Sequence, residues 1–418
     1  MNLRTLLTGL AVLILATSCT AGTQGIFASI EQEQKIVTTG NLNTAATVTR
    51  MAELITSAPS TGVLFVSGGQ ALFSKPNTVS SGTWGTSSVD QHGNVAAVGV
   101  AGSTVYAVAG GGLYQSTDGS NWTATSGLAS GDIPYDLIPV RNSDGVTNND
   151  LILVTMISYT DPGNSSATLY QFGRIYMITP SGINLTPFIL NDPTGSSAST
   201  GLGAPVISAA TNGTTSTAGT VFYLASTSYL WCWNGSDSAT ATAEAYTGGP
   251  VNTNYTGLIY LGTPYQSSTV INQLYVATGI KSGTTSGGSL YVSTNSTAPL
   301  LSPGGWTTIT SSLSYNSLPV NFGQFLYNTT NSSLWIATGN TTGAVQQGTG
   351  YMELTVPGNS FSTTPITNSS NYSSSGLYTY AVGCLFYSQN GYYYLGTRAH
   401  GLWYWNESGN SSNPWTQD

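Results

Sequence analysis

Short apolar runs, separated by turns rich in Gly, Asn and Ser, dominate the chain after about residue 45. Runs of this length, bounded by turn residues and rich in β-branched and aromatic side chains, predict β-strands, and no long apolar stripe of helical period accompanies them. Seven of the runs share one pattern, typified by "VLFVSGG" and "QLYVATG". They begin near residues 63, 104, 151, 220, 273, 333 and 392.

A second kind of run follows each of these after a loop of variable length, and it usually pairs a leucine with an aromatic residue. The pairs are Leu72-Phe73, Leu113-Tyr114, Leu169-Tyr170, Leu230-Trp231, Leu290-Tyr291 and Leu402-Trp403, with Tyr351-Met352 in the sixth repeat. A repeat of about 40 to 60 residues holding roughly four short strands is typical of a propeller blade, because one small sheet cannot bury both of its faces alone.

The repeat therefore predicts an all-β fold, a seven-bladed β-propeller of four-stranded antiparallel blades over residues 45–418, after a short N-terminal tether. Two alternatives stay open. An eighth blade could lie within the longer third or fourth spacing, and a pair of β-sandwiches would also use short strands with frequent turns.

The N-terminus predicts export. Arg4 precedes an uncharged apolar run over residues 6–16, which is too short to span a bilayer and is typical of a signal peptide, here residues 1–18. The following "LATSC" resembles a bacterial lipobox, although Ala16 stands where that motif usually has Leu, Val or Ile. The resemblance implies a diacylated Cys19 that anchors the chain to the bacterial membrane. The alternative is an ordinary signal peptide cut near Ala21.

Residues 19–44 are then expected to form the lipidated tether with a short helix or a closing strand. The mature chain would face the periplasm or the cell surface. Of the three cysteines, Cys232 and Cys384 remain, and they lie far apart in the repeat order. This spacing favours two buried thiols over a disulfide.

Composition indicates a folded chain with an unusual surface. Hydrophobic residues make up 40% and aromatic residues 11%, whereas charged residues make up only 6%. Eight Lys and Arg stand against 16 Asp and Glu. The chain therefore has no basic stripe that could follow a phosphate backbone, and we expect no nucleic-acid partner.

The stretch "STDGSNW", Ser116 to Trp122, resembles the Asp-box turn of sialidase-like and photosystem II stability factor-like propellers, one residue shorter before the Trp. The resemblance implies a structural role for Ser116, Asp118, Gly119 and Trp122: hydrogen bonds to the loop's own backbone, a positive φ at the glycine, and a packed indole. Asp118 is thus expected to hold a turn rather than to react. A related turn in the fifth repeat carries Asn295 in place of Asp.

A sialidase-like hydrolase would need an arginine clamp, a nucleophile and a separate acid. Beyond the leader only four arginines remain, and "FGRIYMI" around Arg174 departs from the family's stretch by an inserted Gly173 and a missing Pro. His92 and His400 lack partners spaced for zinc. We therefore expect no catalytic, cofactor-binding or metal-binding residues, and no cofactor. The remaining carboxylates are scattered, namely Asp132, Asp136, Asp144, Glu244 and Glu353.

Several ionisable groups fall in equivalent loops of the repeat, and in such propellers these loops share one rim, where ligands usually bind. The candidate ligand rim consists of Asp90, His92, Asp161, Lys281, Arg398 and His400. The alternative is that charges simply collect in loops.

The leading hypothesis is an exported, lipid-anchored propeller that acts as a binding or interaction scaffold at the cell envelope, for a glycan, a protein or an envelope component. The alternative is a glycan-cleaving hydrolase with its site on the rim. An assembly-factor role would rest on the single Asp-box-like turn, and the oligomeric state stays open.

Overall fold

The structure is a computed structural model that describes residue 42 and residues 47–418 with gaps at 58–60, 69, 78–82, 162–163, 191–204, 214–220, 235–243, 247–253, 281–285, 294–304, 316–317, 340–349, 362–380, 399 and 407–414. All of these residues belong to one compact unit, Asn41–Asp418. The predicted leader, Cys19 and Lys281 lie outside the described residues.

Most of the described chain forms four-stranded antiparallel sheets that take their strands in chain order. The first sheet contains β1 (Arg50–Ser57), β2 (Thr61–Ser67), β3 (Leu72–Pro76) and β4 (Gly85–Thr86). A short 3-10 helix, η1 (Ser88–His92), leads to the second. That sheet contains β5 (Val95–Ala101), β6 (Thr104–Ala109), β7 (Gly112–Ser116) and β8 (Thr123–Ala124).

A nine-stranded sheet follows, built from two antiparallel series. The first series contains β9 (Asp132–Arg141), β10 (Asn148–Asp161), β11 (Asn164–Thr179) and β12 (Gly182–Ile183), with β13 (Phe188–Ile189) also paired to β11. The second contains β14 (Val206–Thr211), β15 (Val221–Ser226), β16 (Leu230–Asn234) and β17 (Glu244–Tyr246). The two series are joined by parallel pairing of β14 with β9.

The remaining strands again form four-stranded sheets. One contains β18 (Tyr255–Leu261), β19 (Gln273–Thr278), β20 (Leu290–Ser293) and β21 (Trp306–Thr310). After the small pair β22 (Ser314–Tyr315) and β23 (Leu318–Pro319) comes the sheet of β24 (Phe322–Asn328), β25 (Ser333–Thr338), β26 (Tyr351–Thr355) and β27 (Ser360–Phe361). The last contains β28 (Val382–Ser388), β29 (Tyr392–Thr397), β30 (Leu402–Asn406) and β31 (Trp415–Gln417).

The repeated runs of the sequence are the second and third strands of these series. The "VLFVSGG"-type runs lie in β2, β6, β10, β15, β19, β25 and β29, and the leucine-aromatic runs lie in the strands that follow them. The repeated pattern lies in the second and third strands because the first strands share no motif, ranging from VAAVGVA in β5 to DIPYDLIPVR in β9. The all-β prediction, with several antiparallel four-stranded sheets, is confirmed.

The core lies between successive sheets. The first strands contact one another in chain order, β1 with β5, β5 with β9, and so on to β24 with β28. Second strands bury residues on both faces: in β25 every residue is buried. Both faces are buried because each sheet packs against two neighbours, which explains why these runs are continuously apolar.

The first and last sheets also contact each other. Strand β28 packs against β1, and the backbone amide of Val48 donates to the carbonyl of Thr397 at 2.8 Å. Farther out, the Lys75 ammonium on β3 pairs with the Asp418 carboxylate just after β31. Because the Lys75 side chain is only 3% exposed, this ion pair is a buried contact between the first and the last sheet.

Within the described residues, no helix has the length and apolar character needed to cross a membrane.

Candidate functional site

Three cavities follow one another along the first strands. The middle cavity, of about 60 Å³, shares Arg50 and Gln324 with a cavity of about 200 Å³. It shares Met51, Pro139, Asn148 and Phe386 with a third cavity, of about 520 Å³. We call this series the channel, the 200 Å³ cavity its arginine end, and the 520 Å³ cavity its tyrosine end.

Arg50 lies where β1 begins, and its side chain lines the arginine end of the channel. Its Nη2 donates to Asp136 Oδ2 at 2.7 Å, with both side chains mostly buried. Burial lowers the pKa of Arg50, but the charge and hydrogen bond of Asp136 outweigh this effect and raise the pKa overall. The Nε atom is buried without a hydrogen-bond partner. One donor of this guanidinium is therefore unused.

Arg398 lines the same end of the channel, from the loop between β29 and β30. Among the described residues its guanidinium makes no hydrogen bond or ion pair. Burial lowers the pKa of Arg398, and the positive charge of Arg50 lowers it further. Two guanidinium groups thus lie close enough to repel each other, and Asp136 offsets only one of the two charges.

Arg141, at the end of β9, lines the middle of the channel. Its Nη1 donates to the carbonyl of Val146, and burial lowers its pKa against the opposing effect of Asp144. In a chain with a formal net charge of −8, the channel therefore concentrates positive charge. Such a site favours anionic groups.

Asp90, His92 and His400, the other predicted rim residues whose side chains the structure describes, do not line the channel. Asp90 and His92 lie on η1, where Asp90 Oδ1 accepts from the amide of Leu72 at 2.9 Å and the imidazole stacks on Tyr114 at 4.2 Å between centroids. The amide of His400 donates to Thr397 Oγ1 at 2.9 Å. Asp161 is the last residue of β10, and its side chain is not among those that the structure describes. Of the candidates that the structure describes, Arg398 alone lines these cavities.

Sequence reasoning missed Arg50, Arg141 and Asp136 as neighbours in one channel. In the sequence, Arg50 and Arg141 were noted only as two of the four arginines available for a sialidase-like clamp. The signal that could have found them is position: Arg50 begins a first strand and Arg141 ends one. First strands line these cavities, so a charged side chain at the end of a first strand reaches the channel.

The Asp-box-like turn is held by its own side chains. Asp118 Oδ1 accepts from the amides of Ser120 and Asn121, both at 2.8 Å, and Asp118 Oδ2 accepts from Asn121 Nδ2 at 2.7 Å. These hydrogen bonds, those from Asn121 foremost, hold the pKa of Asp118 well below its usual range. Gly119 adopts a φ of 76°, and the indole of Trp122 lies edge-on to Phe65 of the preceding sheet.

Most other described carboxylates are also engaged with neighbouring groups. Asp132 accepts from Arg174 Nη1 at 3.0 Å and from the Tyr176 hydroxyl, and Glu353 accepts from Asn331 and Ser333. A glycosidase needs two carboxyl groups flanking one sugar bond. Among the described residues, no carboxylate pair of this kind lines the channel.

Asp150 is the exception. Its side chain is 1% exposed, and its Oδ1 has no hydrogen-bond partner. Burial raises its pKa to about 6.

Neither Cys232 nor Cys384 forms a disulfide, as expected from the sequence; Cys384 is buried as predicted, whereas Cys232 is only partly buried. Burial raises the pKa of Cys384 to about 12, so the thiol stays protonated and unreactive near neutral pH.

Comparison with known proteins shows the fold. No protein-family model matches the chain, and no curated protein does. Among solved structures, YCF48 bound to a D1 peptide is 13% identical with a TM-score of 0.51, covering 88% of this chain and 94% of that one. YCF48 from Cyanidioschyzon merolae is 13% identical with a TM-score of 0.52, covering 89% and 99%.

An ancestral GH74 enzyme is also 13% identical, with a TM-score of 0.51, covering 91% of this chain and 48% of that one. At this identity the likeness concerns the fold and carries no activity with it. Together with the sheet series described above, it identifies the chain as a β-propeller protein.

Proposed function

We propose that residues 45–418 form a propeller of seven four-stranded blades closed into a ring. Three observations support this count. The seven repeated runs are each the second strand of a four-stranded series, the first strands touch in chain order, and β28 touches β1. Closure of this kind protects the sheet edges, because each blade then packs between two others.

We further propose that the protein is an exported, lipid-anchored scaffold that binds a partner or ligand at the cell envelope. The apolar run over residues 6–16 and the lipobox-like "LATSC" support the anchor at Cys19. Mass spectrometry of the intact chain tests it. The expected mass is that of the chain from Cys19 plus its acyl groups, and an unmodified chain beginning near residue 22 would contradict the anchor.

The observation that carries the binding role is the arginine end of the channel. Among the described residues, half-buried Arg398 has no partner for its guanidinium, and Arg50 beside it keeps an unused donor on Nε. A guanidinium held in a cleft binds planar anionic groups through paired hydrogen bonds. The ligand of this site is therefore expected to present a carboxylate or another anionic group. Binding rather than cleavage is favoured because the described channel carboxylates are engaged by Arg50 and by backbone or polar groups.

A peptide is one class of ligand that fits, and the YCF48 propeller bound to a D1 peptide gives a precedent for peptide binding by this fold. An acidic glycan is the other class that fits. The same array can carry both, so one experiment separates them.

The test exposes the full-length chain to an array of acidic glycans, neutral glycans and peptides with free carboxyl ends. We expect retention on an anionic class, reduced at least about tenfold by Arg398→Ala, because a charge-assisted pair contributes more than about 1.4 kcal/mol. Arg174→Ala is the matched control, since Arg174 pairs with Asp132 outside the channel and its loss should leave retention unchanged.

Retention that survives the Arg398→Ala substitution would overturn the arginine site. Trimmed glycans on the array would overturn the scaffold in favour of the hydrolase.

A further inference from the structure

The tyrosine end of the channel has a different chemistry from the arginine end. This cavity is the larger of the two, at about 520 Å³, a volume typical of small-ligand sites. It lies at the ends of β1 and β5 and the start of β10, where Glu53, Gly99 and Asn149 line it. None of the predicted rim residues that the structure describes lines it. Its features therefore call for a separate explanation.

One wall of this cavity is an exposed aromatic pair. The Tyr265 side chain is 38% exposed, which is high for a large aromatic residue in this protein, and its ring lies 6.2 Å from that of Tyr387 at an interplanar angle of 56°. Both residues line the cavity. An exposed ring at a cavity mouth offers a flat apolar face, which suits the C–H face of a sugar.

The rest of the cavity lining is polar and almost uncharged. The side-chain amides of Asn148 and Gln389 line the cavity and make no hydrogen bond with the described residues. Thr147 and Asn149 add further polar groups. Glu53 is the one charged residue among the described lining. An anionic ligand finds no cation here, so the lining favours a neutral molecule with many hydroxyls.

Glu53 is held in place by hydrogen bonds from three neighbouring residues. Its Oε1 accepts from Asn77 Nδ2 at 2.9 Å and from Ser388 Oγ at 2.7 Å, and its Oε2 accepts from the amide of Gln389 at 2.8 Å. A carboxylate fixed in this way still has lone pairs for a ligand hydroxyl. It acts as an acceptor in binding, and no second carboxyl group lines the described cavity to pair with it.

The wall that carries Tyr265 is also rigid. The amides of Gly262 and Tyr265 donate to the carbonyls of Ser143 and Asp144, both at 2.9 Å. Asp144 Oδ1 in turn accepts from the amides of Val146 and Thr147. Two loops from different sheets are therefore cross-linked. The ring loses little conformational freedom on binding, which lowers the entropic cost.

We propose that the tyrosine end of the channel is a second binding site, specific for a neutral saccharide. Tyr265 packs against one face of a sugar ring, while Asn148, Gln389 and Glu53 bond its hydroxyls. The site is independent of the anionic ligand at Arg398, and neither proposal needs the other.

The test is calorimetric titration of the full-length chain, held in a detergent without a sugar headgroup, with maltotetraose, cellotetraose, N-acetylchitotetraose and tetragalacturonate. We expect at least one neutral sugar to bind with a Kd of about 1 mM or tighter. Tyr265→Ala should weaken that binding about tenfold, because it removes the apolar face on which the sugar ring packs, and Tyr265→Phe should restore it.

Two controls separate the site from general effects. Tyr135 is 40% exposed and packs edge-on to Phe172, but it does not line the described channel cavities, so Tyr135→Ala should bind as the wild type does. Arg398→Ala should also leave neutral-sugar binding unchanged. The proposal is overturned if no neutral sugar binds up to about 10 mM, if Tyr265→Ala binds like the wild type, or if tetragalacturonate alone binds.

Discussion

Asp150 is a buried carboxyl whose oxygen Oδ1 has no partner, and it makes stability depend on pH. Its pKa of about 6 in the folded chain exceeds the value of roughly 3.9 in an unfolded chain. Between these values the folded state keeps a proton that the unfolded state has lost. Stability therefore falls as pH rises from about 4 to about 6, and the penalty stays in full above that range.

Asp150→Asn should remove this slope. Relative to the variant, the wild type is expected to lose on the order of 2 kcal/mol in unfolding free energy between about pH 4 and pH 6.5. Urea unfolding across this range measures it. Asp118→Asn is an instructive comparison, because the lowered pKa of Asp118 gives a slope of opposite sign, confined to below about pH 4. If the difference in unfolding free energy between the wild type and Asp150→Asn does not change with pH, the role of Asp150 is contradicted.

These two aspartates also show which residues a sequence reveals. Every hydrogen bond described for Asp118 comes from within three residues, so "STDGSNW" contains the whole arrangement. Asp150 is buried by the packing around its strand, and Arg50 meets Asp136 across 86 positions. Local order predicts the first case, and packing alone decides the second.

At the scale of the elements, glycines set how closely the first strands approach. A Cβ atom on Gly257 of β18 would lie 2.4 Å from the carbonyl oxygen of Gly323 on β24, and one on Gly383 would lie 2.4 Å from that of Val48. Neither glycine has a positive φ, so the reason for glycine is space rather than backbone conformation.

Gly257→Ala is expected to lower the unfolding free energy by about 2 kcal/mol, because a clash with backbone costs roughly 1–3 kcal/mol and outweighs the gain of up to about 1 kcal/mol from replacing a strand glycine. Gly358→Ala is the matched control, since a Cβ there would meet no atom within 4 Å. Denaturant midpoints should fall for the first variant and stay level for the second. Equal midpoints would show that neighbouring first strands can move apart.

The glycines also explain why the repeated sequence pattern is found in the second and third strands and not in the first strands. Second strands such as β25 are buried along their whole length and must be continuously apolar. First strands instead meet different neighbours at the channel, so their residues range from Gly257 to Arg50. Because each first-strand position packs against a different neighbour, the first strands do not share a sequence motif.

At the scale of the whole molecule, the contact between the first and last sheets holds the two ends of the series together. The Lys75 ammonium pairs with Asp418 and lies 4.7 Å from the centroid of the Trp84 ring. Burial lowers the pKa of Lys75, and the charge of Asp418 opposes that effect. An ion pair this well buried is costly to break from one side, because the remaining charge loses its partner.

Lys75→Met and Asp418→Asn should each lower the unfolding free energy by about 3 kcal/mol, and the double variant should lose less than the sum of the two. Urea unfolding of the four proteins in this cycle measures the coupling. Strictly additive losses would show that the pair does not hold the first and last sheets together. Faster hydrogen exchange in the first and last sheets of the variants than in the other sheets would show that the contact between these two sheets opens.

The sequence by itself determined the all-β class, the strand-turn rhythm, the hydrogen-bonded turn at Asp118 and the prediction of an exported chain. These features follow from local periodicity, turn chemistry and the order of residues within short segments. Only the tertiary structure decided which scattered charges meet. Arg50, Asp136 and Arg398 come from different sheets, and Tyr265 reaches its cavity through a loop bonded to another sheet. Such contacts depend on how sheets pack in three dimensions, and strand periodicity does not encode them.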